Sequence, residues 1–368
     1  MNEKEAGEAI ISLLFHVNDM KKLFTFLSFW LVLLSCNKGV DPPPPPPERT
    51  PRDWTWTRDT LGDGTYQILP RGIWGSSPED VYVVGHASPL FTGKIWHFNG
   101  SGWEDITPVY VEAFPGQVIY PFSATNVFGF GKDDVWIVGS RDTSSTPQVN
   151  KEGFIMRYDG QSWTGMTIPG AAGLLCVFGR SPSDVWVGGF HGKLHRFDGT
   201  SWTEHVLSDT TIGVQLFAGE IDSRLYAQGF TIKNAYEYYS LLEWDGVRWR
   251  IAEEVFGVGK NFTTLSLIEG ELYTVVSSSV RKRVGENSWQ ELFLEPSATF
   301  HRVSGVSGTN LFAFGYSEVL YHFNGENWLR FTDFSSPHIG YYGAWIVAMS
   351  AFILGDDGGT FAYVLRAR

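Results

Sequence analysis

The chain is short of charge and nearly without cysteine. Of its 368 residues, 18% are Asp, Glu, Lys or Arg, and only two are Cys. Its 28 basic residues are outnumbered by 40 acidic ones, a net charge of −12, which argues against a nucleic-acid surface, where clustered Lys and Arg neutralise phosphates. It also argues against a basic membrane-surface patch. No apolar run approaches the about 20 residues of a spanning helix. Gly-x-Ser-x-Gly elbows, phosphate loops and dinucleotide fingerprints are missing. What is plentiful is 41 Gly, 15 Trp and 15% aromatic residues, a strand- and turn-forming composition that predicts an all-β protein.

The N-terminal segment carries its own signal. Met20-Lys21-Lys22 precedes an apolar stretch from Leu23 to Leu34, broken only by Thr25 and Ser28. That length suits a signal-peptide core. It ends in Leu33-Leu34-Ser35-Cys36, which resembles the lipobox of bacterial lipoproteins. The resemblance implies lipid attachment at Cys36, cleavage just before it, and a partnership with the bilayer through the acylated cysteine. Residues 1–35 are expected as signal peptide. The true start is expected at Met20, because Glu3, Glu5, Glu8 and Asp19 contradict a positive leading region. Residues 36–52, with Pro42 to Pro47, read as a stiff extended tether. The expected location is the cell envelope, lipid-anchored to the outer membrane and facing either the periplasm or the exterior. Cys176, in Leu174-Leu175-Cys176-Val177-Phe178, is left without a disulfide partner and reads as a small buried hydrophobe.

From residue 70 onward the sequence repeats. One copy holds Val177-Phe178-Gly179, Asp184-Val185-Trp186-Val187-Gly188 and Phe197-Asp198-Gly199-Thr200-Ser201-Trp202. Earlier copies close at Trp103 and Trp163, later ones at Trp249, Trp289 and Trp328, with spacings of 39 to 60 residues. That is the repeat length of a four-stranded propeller blade. Strand a is Val-Phe-Gly, b is Asp-Val-Trp-x-Val-Gly, c ends in Asp-Gly or Asn-Gly, and d opens at the closing Trp. The Asx-Gly pairs predict tight c–d turns, since both residues tolerate positive φ. A last copy, from Ala344 to Leu365, lacks its closing Trp, whereas Trp54 and Trp56 stand alone at the other end. The fold class that follows is all-β, a seven-bladed β-propeller over residues 53–368. An N-terminal strand completes the last blade and removes two open sheet edges.

The Asp-Gly-x-Ser/Thr-Trp turn resembles the Asp-box of BNR, sialidase-like propellers. The leading Ser of that motif is replaced here by Arg157 or Arg196. Sialidase-like cleavage would need an arginine cluster on the substrate carboxylate. Only Arg71 and Arg302 occur in strand-a segments, and their repeat positions are adjacent and read as facing opposite ways. His191 and His195 are too far apart on a strand to share a metal, and Asp356-Asp357-Gly358-Gly359 reads as a turn. No catalytic residue, metal ligand or cofactor is therefore assigned. The a–b and c–d turns are short, while the b–c connections (86–93, 140–152, 230–238) and d–a connections (104–124, 331–343) vary and share the opposite face of the disc. Variable loops carry function on a repeat scaffold. That places His86, Arg141, Tyr238, Tyr341 and Tyr342 as ligand-face candidates, with Tyr110, Tyr120 and Tyr236 nearby. The expected role is a non-catalytic binding or scaffold propeller taking a protein or a glycan, with no nucleic acid. A periplasmic assembly factor and a glycan-cleaving enzyme are the alternatives.

Overall fold

Alternation of short apolar runs with Gly- and Asp-rich turns is realised as strands throughout. The computed structural model describes residues 54–368 apart from 63, 65–66, 89–91, 109–110, 115–116, 120–121, 143–150, 235, 260–263, 318, 333–339, 348 and 359–360. The expected signal peptide, Cys36 and tether lie outside the described residues, as do Tyr110 and Tyr120. Seven four-stranded antiparallel sheets are present. Six are contiguous in sequence, at 68–105, 122–172, 174–206, 213–259, 264–294 and 300–330, and are numbered here as blades 1 to 6. Blade 7 joins both ends of the domain: Gly340–Val347, Ser350–Asp356, Ala362–Ala367 and the N-terminal strand Trp56–Leu61.

Each strand a touches the strand a of the next blade, and Gly340–Val347 of blade 7 meets Ile68–Ser77 of blade 1, so the ring closes. Strand b is buried along most of its length in every blade, for example Val81 to Ala87 and Asn310 to Gly315. Both of its faces therefore press on a neighbouring sheet, the situation that favours continuous apolar runs over alternation. Seven separate hydrophobic clusters result, one per blade junction. The junction of blades 4 and 5 is the leanest, built on Tyr226, Leu241, Leu265 and Leu272. A buried carboxylate helps there: Glu253 accepts from Arg283 Nε at 2.8 Å and Trp289 Nε1 at 3.0 Å.

Closure rests on named contacts. Trp56 pairs with Ala367 and Leu61 with Ala362. Trp54 stacks on Phe312 with ring centroids 4.9 Å apart, and Trp56 meets Phe331 edge-on at 5.2 Å. Asp59 forms an ion pair with Arg366 and accepts from Trp103 Nε1 at 2.9 Å, so one carboxylate ties the N-terminal strand to the C-terminal strand and to blade 1.

The repeated polar residues have structural work. Asp134 accepts from Trp136 Nε1 and from Arg157, and Asp184 from Trp186 Nε1 and Arg196. The arginines that replace the Asp-box serine thus pair across strands b and c. The c–d turn differs from expectation in one respect. Gly160 and Gly199 adopt φ of 89° and 98°, but the preceding Asp does not share that conformation. Asp159 and Asp198 instead accept two backbone N–H groups each through Oδ1, from residues two and three further on. This is Asx-turn chemistry, and it holds the Asp198 carboxyl well below the usual carboxylate range. A second correction concerns 230–238, expected as a loop. Lys233 pairs with Tyr236, so this segment is a hairpin extension of blade 4.

Candidate functional site

The innermost strands share an irregularity. In six blades strand a carries a β-bulge near its start, between Pro70/Gly72, Ala124/Asn126, Leu174/Cys176, Val214/Leu216, Phe300/Arg302 and Tyr341/Gly343. The extra residues are Arg71, Thr125, Leu175, Gln215, His301 and Tyr342. A bulge bends the strand and re-aims one side chain. Here all six line one cavity of about 610 Å³, joined by Thr264 at the unbulged start of strand a in blade 5. Ends of strand b complete the wall, among them His86, Ser140, Gln228 and Asp356. The cavity therefore sits at the mouth of the central channel, on the face that carries the b–c and d–a connections.

Local sequence explains the bulge. The residue just before it is buried between blades, as with Ala124, Leu174, Val214, Phe300 and Tyr341, which anchors the strand and leaves the next residue free to turn inward. The strand-b glycine of the repeat makes room for the displaced backbone. A Cβ on Gly139 would collide with the Ser123 carbonyl oxygen, and one on Gly315 with that of Thr299.

The cavity has two unlike sides. Blades 3 and 4 present Leu174, Leu175, Phe190 and Leu216, while blades 6, 7 and 1 present His301, Arg302, Tyr316, Tyr342, Asp356 and Arg71. Arg302 is half-buried overall, but its Nε is sealed from solvent and meets no acceptor. Burial pushes its pKa down to about 10. Arg71 is exposed and, like Arg302, forms no ion pair among the described residues. Asp356 accepts from Gly358 N at 2.8 Å and from the Tyr342 hydroxyl at 3.4 Å, yet burial still raises its pKa. Burial, and then the charge of Arg302, lower His301 to about 4. Its ring therefore stays neutral near pH 7, with Nε2 3.3 Å from the Tyr316 hydroxyl.

The sequence candidates fall in different places. His86 and Tyr342 line the cavity. Arg141 is engaged by Glu152 at 2.5 to 2.8 Å. Tyr238 lies half-buried on the blade 4 hairpin, paired with Thr231 and Val258. Tyr341 is 1% exposed and packs in the junction of blades 6 and 7, so it is a core residue and not a presented ring. The reading of Arg71 and Arg302 as facing opposite ways is also corrected. The bulge shifts the register by one residue, and both arginines line the same cavity. Asp356 is both the turn residue expected and a wall residue. Cys176 is buried at 1%, with its thiol pKa pushed up by burial.

Neither a family model nor a curated protein sequence matches the chain. Solved structures do. YCF48 bound to D1 peptide aligns with a TM-score of 0.62 at 14% identity, over 84% of this chain and 96% of that one. A catalytically inactive virginiamycin B lyase from Staphylococcus aureus with quinupristin aligns at 0.56 and 12% identity, over 84% and 99%. The WD40 β-propeller domain of Doa1 aligns at 0.54 and 11%, over 83% and 95%. At such identities the likeness is one of architecture, and it agrees with the topology above: the chain folds as a seven-bladed β-propeller.

Proposed function

We propose that the protein is a non-catalytic binding propeller, held at an envelope membrane by lipid on Cys36, that captures a segment of a partner protein in the mouth cavity. The observation that carries this reading is the ring of bulge residues, re-aimed at equivalent positions of six blades into one cavity of about 610 Å³. A volume of that order suits a short chain segment or small molecule and not a folded domain. The peptide-bound state of one structural neighbour supports a protein partner. Membrane attachment is supported by the apolar run ending in Cys36 and the proline tether behind it.

The test uses the full chain, detergent-solubilised and immobilised, with envelope extract as the source of partners. Gln215→Trp fills the cavity from a half-buried wall position. Loss of cross-linked partners with an unchanged melting temperature supports the reading, and undiminished capture removes the cavity from it. Lipid labelling abolished by Cys36→Ala checks the anchor, and protease treatment of intact cells separates a surface location from a periplasmic one. An enzymatic reading has one observation in its favour, the 3.3 Å contact between Ser123 Oγ and His86 Nδ1 at the cavity wall. That distance is long for a nucleophile–base pair. Hydrolysis of a glycan or ester panel that disappears in Ser123→Ala would favour it.

A further inference from the structure

We propose that the mouth cavity receives the C-terminal residue of an extended polypeptide, its carboxylate at Arg302 and Arg71 and its apolar side chain against the wall of blades 3 and 4. The inference rests on the reading that the cavity captures a partner segment, and it names which part of that segment enters.

Three observations converge on it. First, Arg302 is a cation without a counter-charge. Its Nε is sealed and lacks an acceptor, and no carboxylate among the described residues lies within ion-pair distance. Three other half-buried arginines of this fold meet carboxylates: Arg157 meets Asp134, Arg283 meets Glu253 and Arg366 meets Asp59. An uncompensated guanidinium costs folding free energy, and because Arg302 lines the cavity, a carboxylate entering there supplies the missing counter-charge. Second, the wall charges sum to a small positive excess, two arginines against one aspartate, inside a protein of net charge −12. One surplus charge matches one carboxylate and not a doubly charged phosphate, which Asp356 would also repel. Third, the cationic side faces one where Leu175, Phe190 and Leu216 offer apolar surface beside Gln215 and Gln228. A ligand spanning both must carry an anion and an apolar group a few ångströms apart. A chain end with an apolar last residue does so, because carboxylate and side chain diverge from one Cα.

The probes are two pools of N-acetylated octapeptides, randomised except for a final Leu, one with a free C-terminal carboxylate and one amidated. Both are passed over the immobilised full chain and retention is read by mass spectrometry. The free-acid pool is expected to be retained about tenfold over the amide, the worth of one charge-assisted contact. Arg302→Gln should erase the preference and Arg71→Gln should weaken it. Arg248→Gln, exposed in the c–d turn of blade 4, should leave it intact. Equal retention of the pools, retention of neither, or a preference that survives Arg302→Gln overturns the proposal. Decanoate serves as competitor. Displacement of the acid pool at equal molar potency would show a site for free amphiphilic carboxylates and would overturn the chain-end assignment. The broader reading fails separately. If envelope partners are captured and blocked by Gln215→Trp while the pools bind alike, capture stands and only the carboxylate falls.

Discussion

Replacing Arg302 with Met should make the protein more stable. The folded chain holds this guanidinium where burial lowers its pKa to about 10, below that of a free guanidinium. The unfolded chain binds the proton more tightly, so the folded state carries a penalty at every pH below about 10, relieved as pH rises from there toward the higher pKa of the unfolded chain. At about 1.4 kcal/mol per tenfold change in proton affinity, the penalty is at most roughly 3–4 kcal/mol. The cavity is open to solvent and the side chain is only half-buried, which reduces it to about 1–2 kcal/mol. Met has similar length, needs no acceptor, and keeps the contacts of the arginine stem. In a domain of this size 1 kcal/mol moves the midpoint by about 2 °C, so a rise of about 2–4 °C is expected at pH 7.5 in low salt. Differential scanning calorimetry of wild type and variant measures it. A peptide carboxylate at saturating concentration should then raise the wild-type midpoint and leave the variant's unchanged. An equal or lower midpoint for Arg302→Met would refute the claim that this cation is unmatched, and the site reasoning with it.

Other consequences follow from single contacts. Asp59→Ala removes the carboxylate shared by Arg366 and Trp103, and hydrogen exchange should accelerate first at 56–61, ahead of the strands of blades 1 to 6. Glu253→Ala leaves Arg283 in a largely buried site without its partner at the leanest blade junction, and should cost about 3 kcal/mol in urea unfolding. A loss under 1 kcal/mol would show the pair to be dispensable. His301 is held neutral by burial, with a folded pKa of about 4 against 6.5. The unfolded chain therefore takes up its proton first as pH falls, and stability should decline between pH 6.5 and 4. His301→Asn should flatten that part of the pH profile. Gly139→Ala forces a Cβ onto the Ser123 carbonyl. It should lower the melting temperature by several degrees, and the Thr125 methyl signal followed by NMR should shift as the bulge relaxes.

Much of the architecture could be read directly from residues. Asp-Val-Trp-x-Val-Gly recurs because strand b needs apolar faces on both sides, and the Asx-Gly turns recur because a side-chain acceptor and a left-handed glycine close a four-residue link. The lone Trp54 and Trp56 announced the closing strand because a repeat lacking its last piece must borrow it. The site was less legible. Repeat alignment assigns facing by counting residues, and a bulge shifts that count by one, so Arg71 and Arg302 were placed on opposite sides although both line one cavity. The signal that could have found them was the strand-b glycine, present in blade after blade opposite a backbone that needs its space. Tyr341 was misjudged for the same reason. It stands one residue before the bulge and turns into the blade junction, while Tyr342, at the bulge itself, turns into the channel.

The sequence by itself determined the strand pattern, the number of blades and the closure, because these depend on local periodicity, turn chemistry and a count of repeats. Tertiary structure alone decided which side chains meet at the axis. Those residues come from all seven blades, spread over almost the whole domain, and in six blades their orientation is set by bulges that exist only once neighbouring blades press the strands together.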